Sequence, residues 1–238
     1  MKTLSVVCAR SGSKGMKNKC MAKVNGKMIV EYAIEYSLML GSGVTTVVST
    51  DIPDLIDYCV KKKISYIRRE ADLCRDESRI ECALADAIEK KGKGYAYCSL
   101  VHGNIATRYP EIFHEAVTFL ETHKEYDAVI SMQNVEKFHP EWMLEYNDSF
   151  LPKQNQTQYR RQALPQKMIH DGHTLLFKSE EFYKRHVGLI PYNKGYMYST
   201  YGDKIKPLIH DEVVIDIDTK KDSQLTEAFM RPRQNKKR

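Results

Sequence analysis

The chain has 238 residues, with 37 Lys and Arg against 31 Asp and Glu and a formal net charge of +6. That length suits one α/β domain, and 42% apolar with 29% charged residues excludes a disordered or fibrous chain. No apolar run approaches the roughly 20 residues of a membrane-spanning helix.

The segment after Met1-Lys2 is too short, and lacks a cleavage site, to read as a secretion signal, so a cytoplasmic protein with no membrane partner is expected. Six cysteines, at 8, 20, 59, 74, 82 and 98, form no CxxC pair, which argues against a disulfide framework or a zinc site.

Leu4–Cys8 reads as the first strand, and Ala9-Arg10-Ser11-Gly12-Ser13-Lys14-Gly15 follows it at once. Met28 to Leu40 carries Ile29, Ala33, Tyr36 and Leu40 at helical spacing, closed by Gly41 and Gly43. The β-branched run Val44–Ser49 is a second strand, and Pro53 starts a helix over Leu55 to Lys61. Ile64–Ile67 is a short strand, Glu77 to Lys90 an amphipathic helix, Tyr95–Val101 a strand, Glu111 to Thr122 a helix and Ala128–Met132 a strand.

This repeated βα alternation predicts an α/β fold, a mostly parallel sheet with helices on both faces. The pattern loosens over about 135–170, read as an excursion from the sheet that is either a dimerisation arm or a surface loop. The chain returns through Thr174–Phe177 and Val213–Ile217 and closes with a helix from Ser223. A single domain over 1–230 is expected, followed by a basic, disordered tail at 231–238; nucleic acid is not an expected partner.

Three stretches carry chemistry. A basic, Gly- and Ser-rich loop between a strand and a helix suits a polyphosphate, because bare backbone N–H groups approach anionic oxygens while Arg10, Lys14 and Lys19 neutralise them. The alternation of Val213 to Asp218 sets Asp216 and Asp218 on one side of a strand, where paired carboxylates call for a cation such as Mg²⁺. Adjacent Arg160 and Arg161 are of a kind suited to a carboxylate or phosphate, as well as to plain solvent exposure.

In order along the chain, Ala9-Arg10-x-Gly12-Ser13-Lys14-Gly15, Lys19, Gly26-Lys27, Ser49-Thr50-Asp51, Arg69 with Leu73 and Asp76, Arg161-Gln162-x-Leu164-Pro165, Gly172 and the Asp216/Asp218 pair resemble the CMP-sialic acid synthetase family of cytidylyltransferases, related to CMP-Kdo synthetases. The resemblance covers about residues 3 to 228. It implies a Rossmann-like nucleotidyltransferase fold, usually a homodimer, that transfers CMP from CTP to an acidic sugar and releases pyrophosphate.

By position, the nucleotide would be bound by Ala9, Arg10, Ser11, Gly12, Ser13, Lys14, Lys19 and Arg69, and Mg²⁺ by Asp216 and Asp218. Arg10, Lys19, Asp216 and Asp218 form the implied catalytic set, and Val101, Asn104, Arg161, Gln162 and His173 the implied acceptor contacts.

Departures cluster on the acceptor side. Lys19 is followed by Cys20 where the family has Asn, and Asp171-Gly172-His173 replaces Asn-Gly-Ala. The segment Leu-Gln-Pro-Thr-Ser-Pro-Leu-Arg, laid from Leu100, puts Val101 at the Gln that would touch a sialic acid. A valine cannot replace an amide's hydrogen bonds. The alternatives left open are a non-sialic acceptor, such as a phosphonate or another small acid, and a catalytically weak nucleotide-binding homologue.

Overall fold

Seven strands, each flanked by apolar layers, build one sheet. The structure is a computed structural model that describes residues 1–12, 16, 18–92, 94–143, 146–147, 149–150 and 160–231. Among these the sheet strands are β1 (Thr3–Ala9), β2 (Val44–Thr50), β3 (Tyr66–Arg68), β4 (Tyr97–His102), β5 (Ala128–Asn134), β6 (Met168–Lys178) and β7 (Ile205–Ile209). Their spatial order is β7-β5-β6-β4-β1-β2-β3. All neighbours pair in parallel except β6, which runs antiparallel to both β4 and β5. The predicted mostly parallel sheet is therefore what forms.

The helices are α1 (Ile29–Met39), α2 (Pro53–Lys62), α3 (Ile80–Lys91), α4 (Pro110–Thr122), α5 (Ser179–His186) and α6 (Lys220–Met230). Pro53 and Pro110 stand at first-turn positions, where proline's missing N–H has no helical partner to lose. Thr219 and Asp222 close a reciprocal capping box on α6, which moves its start three residues ahead of the expected Ser223.

One face of the sheet packs Ile34 and Tyr36 of α1, Leu55 of α2 and Phe113 and Leu120 of α4; the other packs Leu84 of α3 and Phe182 of α5. Every residue of β1 is buried, as expected of a central strand covered on both sides.

Three elements depart from the sequence pattern. The edge strand β7 and the short helix α5 have no counterpart in it. Val213–Ile217 forms no ladder: a single antiparallel bridge joins Asp216 to Ile105. The alternation nevertheless persists, with Ile215 and Ile217 buried and Asp216 and Asp218 facing outward.

A small cluster of Val24, Ile29, Ala106, Ile215 and Ile217 fixes this segment against the start of α1. Val24 belongs to a tight hairpin turned by Asn25 and Gly26, whose φ values of 50° and 80° suit a type I′ turn.

Within the expected excursion, short turns at Glu136–Phe138, Pro140–Trp142 and Arg161–Ala163 and a two-residue hairpin are described, and residues 168–170 already belong to β6. Residues 232–238, most of the expected tail, lie outside the described residues.

Candidate active site

From β1 the chain steps outward to β2 and β3, then crosses back to β4 on the other side of β1. Strand order thus reverses between β1 and β4, and in open α/β sheets ligands bind beyond the carboxyl ends of the strands at such a point. A cleft of about 450 Å³ lies there. Arg10 and Lys19 reach it from the stretch after β1, Arg69 from the end of β3, His102 and Asn104 from the end of β4, and Asp218 from ahead of α6.

Gly103 lets β4 come this close to β1. Its amide donates to the Cys8 carbonyl at 2.9 Å, and a Cβ there would stand 2.9 Å from that same oxygen.

The cleft joins the first and last motifs. The Lys19 ammonium is paired with the Asp218 carboxylate, 199 residues on. The Asn104 amide donates to Asp216, and the Ile217 amide donates to the Asn104 carbonyl at 3.1 Å. The Ser11 amide donates to Asp51 at 2.9 Å, its hydroxyl donating to the other carboxylate oxygen. Burial pushes the Asp51 carboxyl up, but the Ser11 bonds outweigh it and hold the group below the ordinary carboxylate range.

Arg69, 5% exposed, donates to the Ser49 hydroxyl and carbonyl at 3.2 and 3.0 Å, so its charge is fixed in the cleft wall. Arg10 also lines the cleft, while its guanidinium donates to the carbonyls of Cys74 and Arg75 at 2.8 and 2.7 Å and to Asp76 at 3.1 Å.

The expected pairing of Asp216 and Asp218 is present. Loss of water around its carboxyl, and then the charge of Asp218, raise Asp216 above the ordinary range; Lys19 and Asn104 offset this in part. Two carboxylates that repel in this way, with the Lys19 ammonium as their counter-charge, fit a Mg²⁺ held by one or two carboxylates plus phosphate and water. Among the described residues no group of three or more His, Cys, Asp or Glu could hold a metal, so the phosphates would have to complete the shell.

Several expected contacts lie elsewhere. Val101 is 1% exposed and packs in the core with Val7, Ile112 and Leu176, so it does not face the cleft. Its neighbour His102 does. Counted back from Arg108, the family's eight-residue segment falls on Val101–Arg108 and its Gln on His102; the register laid from Leu100 was one residue off.

His173 is also interior, 1% exposed: Nε2 accepts the Tyr109 amide at 2.8 Å and Nδ1 lies 2.8 Å from the Thr174 hydroxyl. Burial and then the Arg108 charge pull its imidazole down to about 3, and a ring engaged at both nitrogens has nothing left for a substrate.

The Ala9 side chain belongs to the core at the end of β1, and Gly12 approaches the Cys74 carbonyl. Gln162 lines a separate hollow of about 310 Å³ with His139 and Pro165. Ser13 and Lys14 lie outside the described residues, and Arg161 is described in its backbone turn only.

Two features were not read from the sequence. Cys8, Met16, Cys20 and Ile80 give the cleft a sulfur-rich, weakly polar wall. Burial raises the Cys20 thiol to about 11, so it stands there as a neutral group. Arg108, whose burial lowers it to about 10, donates to the carbonyls of Ile105 and His173 at 3.2 and 2.8 Å and to that of His102, clamping the loop that carries Asn104. The signal that could have found the wall is position alone: Cys8 stands at the end of a central strand.

A family profile described as Cytidylyltransferase matches residues 4–228. An N-acylneuraminate cytidylyltransferase of Streptococcus agalactiae serotype V is 25% identical over 229 residues, covering 93% of this chain and 52% of that protein. A CMP-N,N'-diacetyllegionaminic acid synthase of Campylobacter jejuni is 29% identical over 96 residues, 40% of this chain and 41% of that protein. The chain thus spans about half the length of the curated relatives it matches.

Among solved structures, a CMP:2-keto-3-deoxy-manno-octonic acid synthetase complexed with CTP superposes with a TM-score of 0.73 at 15% identity, covering 97% of this chain and 98% of that one. A 4-diphosphocytidyl-2C-methyl-D-erythritol synthase of Anaerococcus prevotii superposes at 0.66 with 13% identity, covering 96% and 95%. At these identities the likeness is one of fold.

Proposed function

We propose a function from one premise: this chain belongs to the cytidylyltransferase family. It transfers CMP from CTP to an acidic, sugar-like acceptor and releases pyrophosphate. The observation that carries this reading is the meeting of Lys19 with Asp218 over the β1/β4 crevice, which joins a basic post-strand loop to a carboxylate pair at one cleft.

In this reading the acceptor's hydroxyl oxygen bonds to the α-phosphorus, the bond from that phosphorus to the pyrophosphate oxygen breaks, and the hydroxyl proton is released. Lys19 moves from Asp218 onto the phosphates. The stretch from Arg10 to Gly12 faces the triphosphate, and Arg69 holds its charge beside the nucleoside. Asp216 and Asp218 hold Mg²⁺, with Asn104 fixing Asp216. When bound, the ion neutralises charge on the phosphates and polarises the reacting phosphoryl group. The rest is positioning and electrostatics in a site already ordered by buried bonds.

Arg161 serves the acceptor, the excursion that leaves the sheet at about residue 135 serves a homodimer, and the protein works in the cytoplasm. No helix among the described residues is long and apolar enough to cross a membrane.

The test is pyrophosphate release from CTP and Mg²⁺ with N-acetylneuraminate, Kdo and small phosphonates as acceptors. Turnover with one of them is expected. Undiminished CTP binding with no release from any acceptor would leave a nucleotide-binding homologue instead.

A further inference from the structure

The segment that carries Asp216 has almost no ladder. One bridge, from Ile105 to Asp216, joins its backbone to the turn after β4. Ile215 and Ile217 are buried in a small cluster with Val24, Ile29 and Ala106. Backbone N–H groups taken into such a place need partners, and burial without one is costly.

The chain after β4 supplies them in antiparallel order. The Tyr109 hydroxyl donates to the Val213 carbonyl at 3.1 Å, the Thr107 hydroxyl accepts from the Ile215 amide at 3.0 Å, and the Asn104 carbonyl accepts from the Ile217 amide at 3.1 Å. The contacts fall at every second residue, as the rungs of an antiparallel pair do. Two of the three are made by side chains. The Tyr109 bond is exposed, whereas Thr107 is 3% exposed and its bond is buried.

Register has a chemical consequence here. Side chains alternate between faces, so a slip of one residue would turn Ile215 and Ile217 outward and the carboxylates inward. In the observed register Asp216 meets the Asn104 amide and Asp218 the Lys19 ammonium. The apolar cluster holds the segment down, but apolar burial has no direction; a hydrogen bond does, and it fixes where along the turn the segment sits.

We propose that Thr107 is a positioning residue for the carboxylate pair. Its hydroxyl stands in for a strand carbonyl and sets the register that presents Asp216 to Asn104 and Asp218 to Lys19. It acts through those side chains, since it does not itself line the cleft. In the register that ends at Arg108, the family's segment has leucine at this position, which offers no acceptor. The consequence for metal binding rests on the transferase reading above; the positional role does not.

The experiment compares wild type with Thr107→Val and Thr107→Ser. Valine keeps the shape and removes the acceptor, and serine keeps the acceptor. Ser37→Ala is the control for lost stability. It removes a buried hydroxyl outside the cleft, one that donates to Ser5 at 2.6 Å and lies 2.9 Å from the Thr46 hydroxyl.

In the metal-free protein the Ile215 amide should exchange with deuterium about tenfold faster or more in Thr107→Val than in wild type. Mn²⁺ binding to the CTP complex, read by electron paramagnetic resonance, should weaken about 3–10-fold in Thr107→Val, with metal-free CTP affinity changed less than about twofold. Thr107→Ser should stay within about twofold of wild type in exchange and in Mn²⁺ affinity. Ser37→Ala should lower Tm and leave Mn²⁺ affinity unchanged.

Wild-type exchange or wild-type Mn²⁺ affinity in Thr107→Val, or Mn²⁺ binding weakened equally by Ser37→Ala, would overturn the assignment. A wild-type CTP complex that binds no Mn²⁺ would instead remove the metal role of the pair, and amide exchange would then decide by itself whether Thr107 sets the register.

Discussion

Replacing Gly103 with alanine tests whether the close approach of β1 and β4 builds the cleft. The added Cβ would lie 2.9 Å from the Cys8 carbonyl oxygen, 3.1 Å from Ala9 Cβ and 3.3 Å from Val30 Cγ2, where ordinary contacts begin at 3.4 Å. The nearest of these atoms is backbone in a fully buried strand, so it cannot swing aside as a side-chain tip would.

Overpacking of this kind costs about 1–3 kcal/mol. For a chain of this size each kcal/mol lowers Tm by roughly 2–4 °C, so a fall of roughly 2–12 °C is expected. Relief requires the turn after β4 to move off β1, and that turn carries Asn104 and follows His102, so turnover should fall as well.

Thermal and urea denaturation give the first quantity, steady-state kinetics the second. Gly12→Ala is the internal comparison: its Cβ would meet atoms only at 3.5 and 3.8 Å, so its stability should stay within about 0.5 kcal/mol of wild type. If Gly103→Ala were equally stable, the steric account of the crevice would be wrong.

Asp218→Asn should lower turnover at least about 100-fold, the scale of losing one preorganised charge-stabilising group, with stability nearly unchanged because the side chain is 60% exposed; a retained rate in the pyrophosphate assay refutes its metal role. Lys19→Met removes the partner of Asp218 and a phosphate cation, so CTP affinity by calorimetry should fall about tenfold or more, and unchanged affinity would contradict its place.

His173→Leu strands the Tyr109 amide and the Thr174 hydroxyl, and about 1–3 kcal/mol of stability should be lost in urea melts; a stable variant with a raised acceptor KM would restore His173 as a contact. His173 is held down to about 3 in the fold against an ordinary value of 6.5, so the unfolded chain binds its proton first. Stability should therefore fall as pH drops from 6.5 toward 3, by on the order of 5 kcal/mol at the limit, and be flat in this contribution above pH 7. Urea melts at pH 7, 5.5 and 4.5 check it, and greater stability at 4.5 would refute it.

Much of the fold is visible in one dimension. The β1–α1–β2–α2–β3 run and the β4–α4–β5 run are legible because covered parallel strands are continuous apolar runs and their helices keep a 3.6-residue period. The basic loop after β1 and the Asp216/Asp218 pair are legible for the same kind of reason, since their chemistry lies in residue type and local spacing.

Strand β7 is not, because Lys206 and Pro207 interrupt its pattern and only pairing with β5 makes Ile205–Ile209 a strand. Helix α5 hides in a polar stretch whose one large apolar anchor is Phe182. The 213–217 segment looks like a strand from its alternation, but the small cluster at the start of α1, with a single bridge, is what holds it.

Which side of β4 faces the ligand is another matter. Tyr97 and Val101 enter one core cluster, and Cys98 and Leu100 the other, so the strand is apolar on both faces and its parity cannot be read from alternation. The sequence by itself determined a mostly parallel α/β sheet, a basic glycine- and serine-rich loop after its first strand and a carboxylate pair, since each depends on neighbours along the chain. Only the tertiary structure decided that Val101 and His173 are interior, that His102 faces the cleft, and that Lys19 meets Asp218, since each depends on how strands far apart in sequence are registered across β1 and β4.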